Sequence, residues 1–346
     1  MKTDAFIAVP NDRILVTGAT GFLGPALVDS LVRFGFGNVR ALARPSGNVA
    51  RLQAVAERHG DHAHIDMFRG NLLSREDCRR AAEDVAIIFH LAVGGDKSYP
   101  DAFMNSVVTT RNLIEASRLQ AKLRRFVNVS SFAVYTNADG KFLNEECPVG
   151  EADGDAYTFA KVKQDELVTD YGRRFGFPYV IVRPGSVFGP GKSAITGRVG
   201  IDTFGLFMHL GGSNRIPLTY IDNCSDAIVM AGVTAGVDGE VFNIVDDDLP
   251  SSRQFLHQYK RNVRRFRSVY IPRPISYAFC WLWEKYAHWS EGQLPPVFNR
   301  RRWNAEWKKT RYSNDKLKAK LGWKPKVQMQ EALRRYFVAC REEQSA

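Results

Sequence analysis

The stretch Arg13-Ile-Leu-Val-Thr-Gly-Ala-Thr-Gly-Phe-Leu-Gly24 decides how the chain is read. An apolar run, Ile14 to Val16, leads into a turn holding Gly18, Gly21 and Gly24, and "GPALVDSLVRFG" after it has the spacing of a helix. Glycines weaken a strand–helix junction unless something must come closer to the backbone than a Cβ allows. Gly18 takes the tight turn. Gly21 lets a pyrophosphate sit against the helix N-terminus, where free N–H groups favour anions, and Gly24 lets helix and strand pack closely. The strand–turn–helix context makes this a dinucleotide-binding turn with the spacing G-x-x-G-x-x-G.

Outward from this turn the chain alternates. "NVRALAR", "AHIDMFRGNL", "VAIIFHLAV", "RRFVNVSS" and "PYVIVRPGSVFG" read as strands. Between them, "NVARLQAVAERHG", "SREDCRRAAED", "DAFMNSVVTTRNLIEASRLQ" and "YTFAKVKQDELVTDYGRRFG" read as helices. Such alternation predicts an α/β, Rossmann-type doubly wound parallel sheet with helices on both faces. Residues 1–187 form the expected dinucleotide-binding domain, to which a segment at about 218–246 returns. Residues 188–217 and 247–346 form a smaller C-terminal substrate-binding lobe.

The 346 residues are 45% hydrophobic and 25% charged, ordinary for a globular protein. The cysteines, Cys78, Cys147, Cys224, Cys280 and Cys340, are odd in number and form no CxxC pair. Structural zinc and a disulfide framework are thus not expected, and a reducing cytoplasm fits. "MKTDAFIAVP" has no long apolar run, so no signal peptide is expected. "ISYAFCWLW" is about half the ~20 residues of a membrane span, so membrane contact would be peripheral. From Ser251 onward there are 22 Lys and Arg against 7 Asp and Glu, whereas the rest of the chain has 26 against 30. This asymmetry fits an anionic partner, such as a phosphate-bearing substrate or an acidic membrane surface, or else a solvated basic face. No nucleic-acid module is visible, so no nucleic-acid partner is expected.

"YTFAK" places Tyr157 and Lys161 one helical turn apart on one face. A free Tyr titrates near ~10, too high for a base at neutral pH. A neighbouring ammonium favours the phenolate, so this pair can exchange a proton with an alcohol or ketone. "VNVSS" ends a strand, where such sheets bind ligands, and offers Ser130 and Ser131.

The glycine turn, "GNLL" at Gly70 to Leu73, "HLAV" at His90 to Val93, "RPGSVFGPG" from Arg183, "YIDNCSDA" from Tyr220 and "LGWKPKV" from Leu321 together resemble the extended short-chain dehydrogenase/reductase superfamily. The likeness is to its epimerase/dehydratase-like branch, with some 3β-hydroxysteroid dehydrogenase-like features. It implies Ser131, Tyr157 and Lys161 as catalytic residues. Cofactor contacts are expected from Gly18, Thr20, Gly21, Phe22, Leu23, Gly24, Asn71, Leu72, Leu91, Ala92, Ser130, Tyr157, Lys161, Pro184, Ser186 and Val187. An acid at the second strand's exit would bind the ribose 2′-OH of NAD; Arg44 stands there instead, so NADP(H) is expected over NAD(H).

Ser131-Phe132-Ala133 replaces the family's dehydratase Thr-Asp-Glu, which leaves epimerases, dehydrogenases and reductases. A nucleotide sugar is the first substrate expectation, bound by Ser131, Arg198, Arg215 and Tyr220. Arg215 lies one residue early for a diphosphate contact. A sterol-type ring alcohol is the alternative, supported by Asn223 and by the aromatic tail of Phe279, Trp281, Trp283, Tyr286 and Trp289. A non-catalytic cofactor-binding subunit or sensor is a third reading, which the presence of both Tyr157 and Lys161 disfavours. Ser106 stands where the resemblance leads one to expect Asn; Asn105 is displaced by one. A homodimer through two long helices is implied by the resemblance.

Overall fold

A computed structural model of the chain describes residues 6–94, 98–135, 142–150, 155–192, 194–203, 205–290 and 299–345. The side chains of 203, 301, 302 and 305 lie outside that description, and with them most of the basic run Arg300 to Arg302. A parallel sheet of seven strands organises the fold. In chain order these are β1 (Arg13–Thr17), β2 (Asn38–Ala43), β3 (His64–Arg69), β4 (Val85–His90), β5 (Arg125–Val129), β6 (Tyr179–Pro184) and β7 (Val241–Ile244). Their spatial order is β7-β6-β5-β4-β1-β2-β3. The order reverses at β1 and β4, and an open sheet of this kind binds ligands outside the carboxyl ends of its strands at such a switch point.

The strands are continuous apolar runs because both faces are covered. On one face Ile14, Val16, Ile87, Phe89, Val127 and Val182 pack with Leu27, Val28 and Leu31 of the helix Gly24–Arg33 and with the helix Ile221–Val233. On the other, Leu15, Leu42, Ile88, Phe126 and Ile181 meet Cys78, Leu113, Ile114 and Val168. Alternation along each strand therefore sorts residues to two cores rather than to core and water.

"PYVIVRPGSVFG" divides in two. A Cβ on Gly185 would lie 2.2 Å from the Pro217 carbonyl oxygen, so the chain can leave the main sheet only through this glycine. Ser186–Phe188 then pairs with Leu218–Tyr220 as a separate two-stranded ladder. Of the returning segment, the strand Val241–Ile244 joins the main sheet beside β6.

A second core gathers Phe188, Val199, Phe207, Leu218, Tyr220, Phe255, Tyr259, Tyr336 and Phe337. The C-terminal part also reaches back: Leu317, Leu321 and Trp323 belong to the core of the main sheet. The Asn223 side chain receives the Val327 N–H at 2.9 Å and donates to the Val327 carbonyl at 2.8 Å. The "YIDN" and "LGWKPKV" motifs, a hundred residues apart in sequence, thus meet. Among the described residues no helix is long and apolar enough to cross a membrane.

Candidate active site

A cavity of about 560 Å³ opens at the carboxyl ends of the strands. Its floor is the glycine turn. Gly18 has φ +67°, and a Cβ there would lie 2.9 Å from the backbone of Leu91 and Ala92. A Cβ on Gly24 would lie 2.3 Å from the Ala19 carbonyl oxygen. Both positions therefore require glycine, for conformation at the first and for close approach at both. The helix that follows starts at the cavity-lining Gly24 without a side-chain cap, and a helix start of this kind favours an anion.

Gly18, Thr20, Gly21, Phe22, Leu23 and Gly24 all line the cavity. So do Arg44, Asn71 and Leu72 at one end, Leu91 and Ala92 beyond β4, and Pro184 and Val187 opposite. Arg69 secures the turn that carries Arg44: its Nη1 donates to the carbonyls of Arg44 at 3.0 Å, Pro45 at 3.3 Å and Gly47 at 2.8 Å. Arg40 is engaged elsewhere, 3.1 Å from Asp66. This cradle fits a dinucleotide: glycine where the backbone must be bare, a helix start for the diphosphate, and a cation rather than an acid beyond β2.

Ser130, Ser131, Tyr157 and Lys161 meet on the other wall. Ser131 starts a short 3-10 turn, Phe132–Val134, and its Oγ accepts the Ala133 N–H at 3.2 Å, which leaves its O–H to donate. The helix Ala156–Phe175 begins where the Asp155 carboxylate accepts the Thr158 N–H at 2.9 Å. Its first turns carry Tyr157 and Lys161. The Lys161 ammonium donates to the Val129 carbonyl at 2.7 Å and to Gln164 Oε1 at 3.0 Å. Burial disfavours its charge and brings its pKa down to about 8, against the opposing pull of Asp165.

Behind Lys161 runs a buried polar chain. Gln164 Nε2 donates to Thr110 Oγ1 at 2.7 Å, and Thr110 donates to the Ser106 carbonyl at 2.6 Å. The His90 Nε2, 2.8 Å from Thr110 Oγ1, must then be the donor, and its Nδ1 accepts from Thr17 at 2.8 Å. Burial, helped by the Lys161 charge, pushes the His90 pKa down to about 3, so the imidazole is neutral. His90 does not line the cavity; it fixes the strand end.

Ser130 is held from behind as well. Asp165 accepts from Ser130 Oγ at 2.9 Å, from Asn128 Nδ2 at 2.9 Å and from Arg183 Nε at 3.1 Å. Arg183 continues to the Tyr135 hydroxyl at 2.8 Å, and that hydroxyl donates to Asn243 at 2.8 Å.

Four expected contacts lie outside the cavity lining. Ser186 is drawn into the small ladder, its N–H donating to the Pro217 carbonyl at 2.6 Å. The Arg198 guanidinium meets the Tyr312 hydroxyl at 3.4 Å, and Arg215 donates to the Leu249 carbonyl. Tyr220 is buried against Phe188, ring centroids 5.6 Å apart.

Other cavity residues had no assigned place in the sequence: Leu42, Val93, Gly94, Asn105, Thr109, Val129, Gly185 and Lys192. Lys192 follows the "FGPG" turn, and a cation in a glycine-rich loop at a strand exit was the available signal; its ammonium donates to the Val187 carbonyl at 3.2 Å. Its Nζ lies 5.5 Å from the Phe22 ring, which Arg51 approaches at 5.8 Å. Asn105 is explained by the backbone. Residues Phe103–Val108 form a π-helical turn, whose extra residue shifts register by one position. Asn105 thereby reaches the wall while Ser106 is buried and accepts the Gly94 N–H at 2.8 Å.

The sheet, its switch-point cavity and its glycine turn define a dinucleotide-binding α/β protein. The model of the NAD dependent epimerase/dehydratase family matches residues 14–245, and the chain belongs to that family. It is 25% identical over 334 residues to the decarboxylating sterol-4-alpha-carboxylate 3-dehydrogenase of Mus musculus, covering 92% of this chain and 88% of that one. It is 30% identical over 248 residues to the UDP-glucose 4-epimerase of Mycolicibacterium smegmatis, covering 67% and 76%. The structure of UDP-glucuronic acid 4-epimerase from Bacillus cereus, in complex with UDP-glucuronic acid and NAD, superposes with a TM-score of 0.72 at 20% identity over 96% of this chain and 99% of that one. That likeness is one of fold.

Proposed function

We propose that the protein is an NAD(P)-dependent oxidoreductase acting at a secondary alcohol or ketone carbon. The observation that carries this reading is the meeting of Ser131, Tyr157 and Lys161 on one wall of a glycine-floored cavity. A bound nicotinamide supplies the hydride acceptor or donor. Tyr157 takes the hydroxyl proton in oxidation and returns it in reduction. Ser131 donates to the substrate oxygen and orients it. The Lys161 ammonium, held by Val129 and Gln164, favours the phenolate form of Tyr157. Phe132 and Ala133 lack the acid pair of a dehydratase, which leaves epimerisation, dehydrogenation and reduction; of these, the NADP(H) preference read from Arg44 favours net redox chemistry over redox-neutral epimerisation. Arg44 supports NADP(H), and Arg44→Asp is expected to weaken NADP(H) binding while sparing NAD(H). A homodimer through the long helices belongs to the same proposal.

Of the substrate classes, a lipid-like ring alcohol of sterol type comes first. Arg198 and Arg215, the guanidinium groups expected to hold a sugar diphosphate, are not among the residues lining the cavity: Arg198 meets Tyr312, and Arg215 donates to the Leu249 carbonyl. The sterol dehydrogenase relative is also matched over nearly its whole length. A nucleotide sugar is the second reading, supported by the UDP-glucose 4-epimerase relative and by Lys192 on the cavity wall. Thermal shift of the cofactor-saturated protein with UDP and TDP separates them. Saturation at a hundredfold excess over Kd adds about 2.7 kcal/mol. No shift is expected, and a clear upward shift would move the assignment to nucleotide sugars.

A further inference from the structure

The helix Arg273–Trp289 is amphipathic the wrong way round for a helix of a globular core. The residues it buries are small: Ser276, Cys280 and Ala287. Its large apolar residues point outward at i, i+4, i+7, i+11 and i+14. Ile275 is 60% exposed, Phe279 46%, Leu282 58%, Tyr286 49% and Trp289 77%. Trp281 is exposed on the same helix, at 38%. A continuous apolar stripe of this size marks an interaction surface rather than scattered exposure.

Charge identifies the partner. The single acid of this helix, Glu284, is paired with Arg300 at 2.9 Å. The outward half instead carries Lys285, whose ammonium lies 4.4 Å over the Trp281 ring. The quarter of the chain from Ser251 holds 22 Lys and Arg against 7 Asp and Glu. Two copies joined through the stripe would bring surfaces of the same sign together. Tyr286, Trp281 and Trp289 with Lys285 on an exposed apolar helix are instead the composition of a segment lying at the boundary between lipid headgroups and acyl chains. We propose that this helix docks the protein, in plane and without crossing, on an anionic lipid bilayer.

The helix is also joined to the substrate side of the site. Cys280 packs on Trp307, whose indole N–H donates to the Gly197 carbonyl at 3.0 Å. Arg198, next in sequence, meets Tyr312, and the Tyr312 ring stacks on Phe132 at 5.7 Å, beside Ser131. The lobe that would rest on the bilayer is therefore the one that flanks the reacting carbon. The docking surface stands whichever alcohol is turned over.

The test is flotation of the full-length protein with vesicles of phosphatidylcholine, alone or containing phosphatidylglycerol. Binding to the anionic vesicles, weakened by added salt, is expected. The double substitution Leu282→Glu with Trp289→Glu is expected to lower the apparent affinity by roughly tenfold or more, and Lys285→Gln by roughly fivefold. Both variants should keep the thermal shift produced by cofactor, which shows that they fold. Failure of the parent protein to bind anionic vesicles would overturn the proposal. So would undiminished binding by the double variant, or a dimer in sedimentation velocity that the double variant breaks in the absence of lipid.

Discussion

Lys161 keeps its ammonium almost wholly buried in the cavity wall, held by the Val129 carbonyl and Gln164. Burial leaves it protonated below about pH 8 and neutral above. Alcohol oxidation that depends on this charge should therefore fall as pH rises past about 8, and a pH–rate profile checks it. Lys161→Met should lose roughly a hundredfold in turnover below about pH 8, with the deficit shrinking above it as the parent loses the same charge. Asp165 is a positioning residue of a different kind. Replacing it with Asn leaves Arg183 buried without its anion, a loss of about 3–5 kcal/mol, visible as a drop in thermal midpoint. The candidate pair Tyr157 and Lys161, one turn apart, was legible from spacing and Ser131 from the family resemblance, and one cavity brings the three together. The residues that hold them were not. Gln164, Thr110 and Asp165 come from separate segments and carry no local pattern; only the packed sheet brings them together.

At the scale of elements, the glycine turn is where sequence and structure agree most closely, because the constraint is local. A Cβ at position 24 would press on the Ala19 carbonyl at 2.3 Å, and neither backbone segment has room to move. Gly24→Ala should therefore destabilise the fold by more than about 3 kcal/mol, read from urea unfolding. The long helix through Phe103–Val108 shows the opposite case. Its sequence reads as one uninterrupted helix, yet a π turn re-aims one residue and sets Asn105 on the cavity wall. Helical periodicity averages over such a turn and cannot register it. Likewise "PYVIVRPGSVFG" looks like one strand because the break at Gly185 depends on Pro217, more than thirty residues later. Ser186, read with that strand, lies outside the cavity lining, as do Arg198, Arg215 and Tyr220, which sit on loops and a second core whose packing is nonlocal.

For the whole molecule, two buried groups act on stability with opposite signs, the His90 imidazole and the Asp246 carboxyl, whose pKa burial pushes up to about 7. His90 is neutral and fully enclosed, with its pKa down at about 3 from an ordinary 6.5. Between those values the unfolded chain binds a proton that the native state refuses, so the His90 contribution to stability rises with pH across that window and falls as pH drops through it. From pH 7 to pH 5 this single group should cost about 2 kcal/mol. His90→Gln should show a shallower loss of thermal midpoint over the same range. The doubly wound sheet was readable from alternation of strands and helices, whereas the reach of Leu317, Leu321 and Trp323 back into its core was not. Nothing in a basic, aromatic tail distinguishes core from surface until the helix Arg273–Trp289 is seen to turn its large side chains outward.

The account rests on proton and hydride exchange at one wall of the cavity. Its most direct test is cofactor reduction by the full-length protein with a panel of 3β-hydroxysterols and UDP-sugars, run beside Tyr157→Phe. The account predicts sterol-dependent NADP+ reduction that the variant loses by at least about a hundredfold, with cofactor affinity unchanged. Full turnover by Tyr157→Phe would contradict it, as would a cofactor-bound protein inert toward every alcohol in the panel.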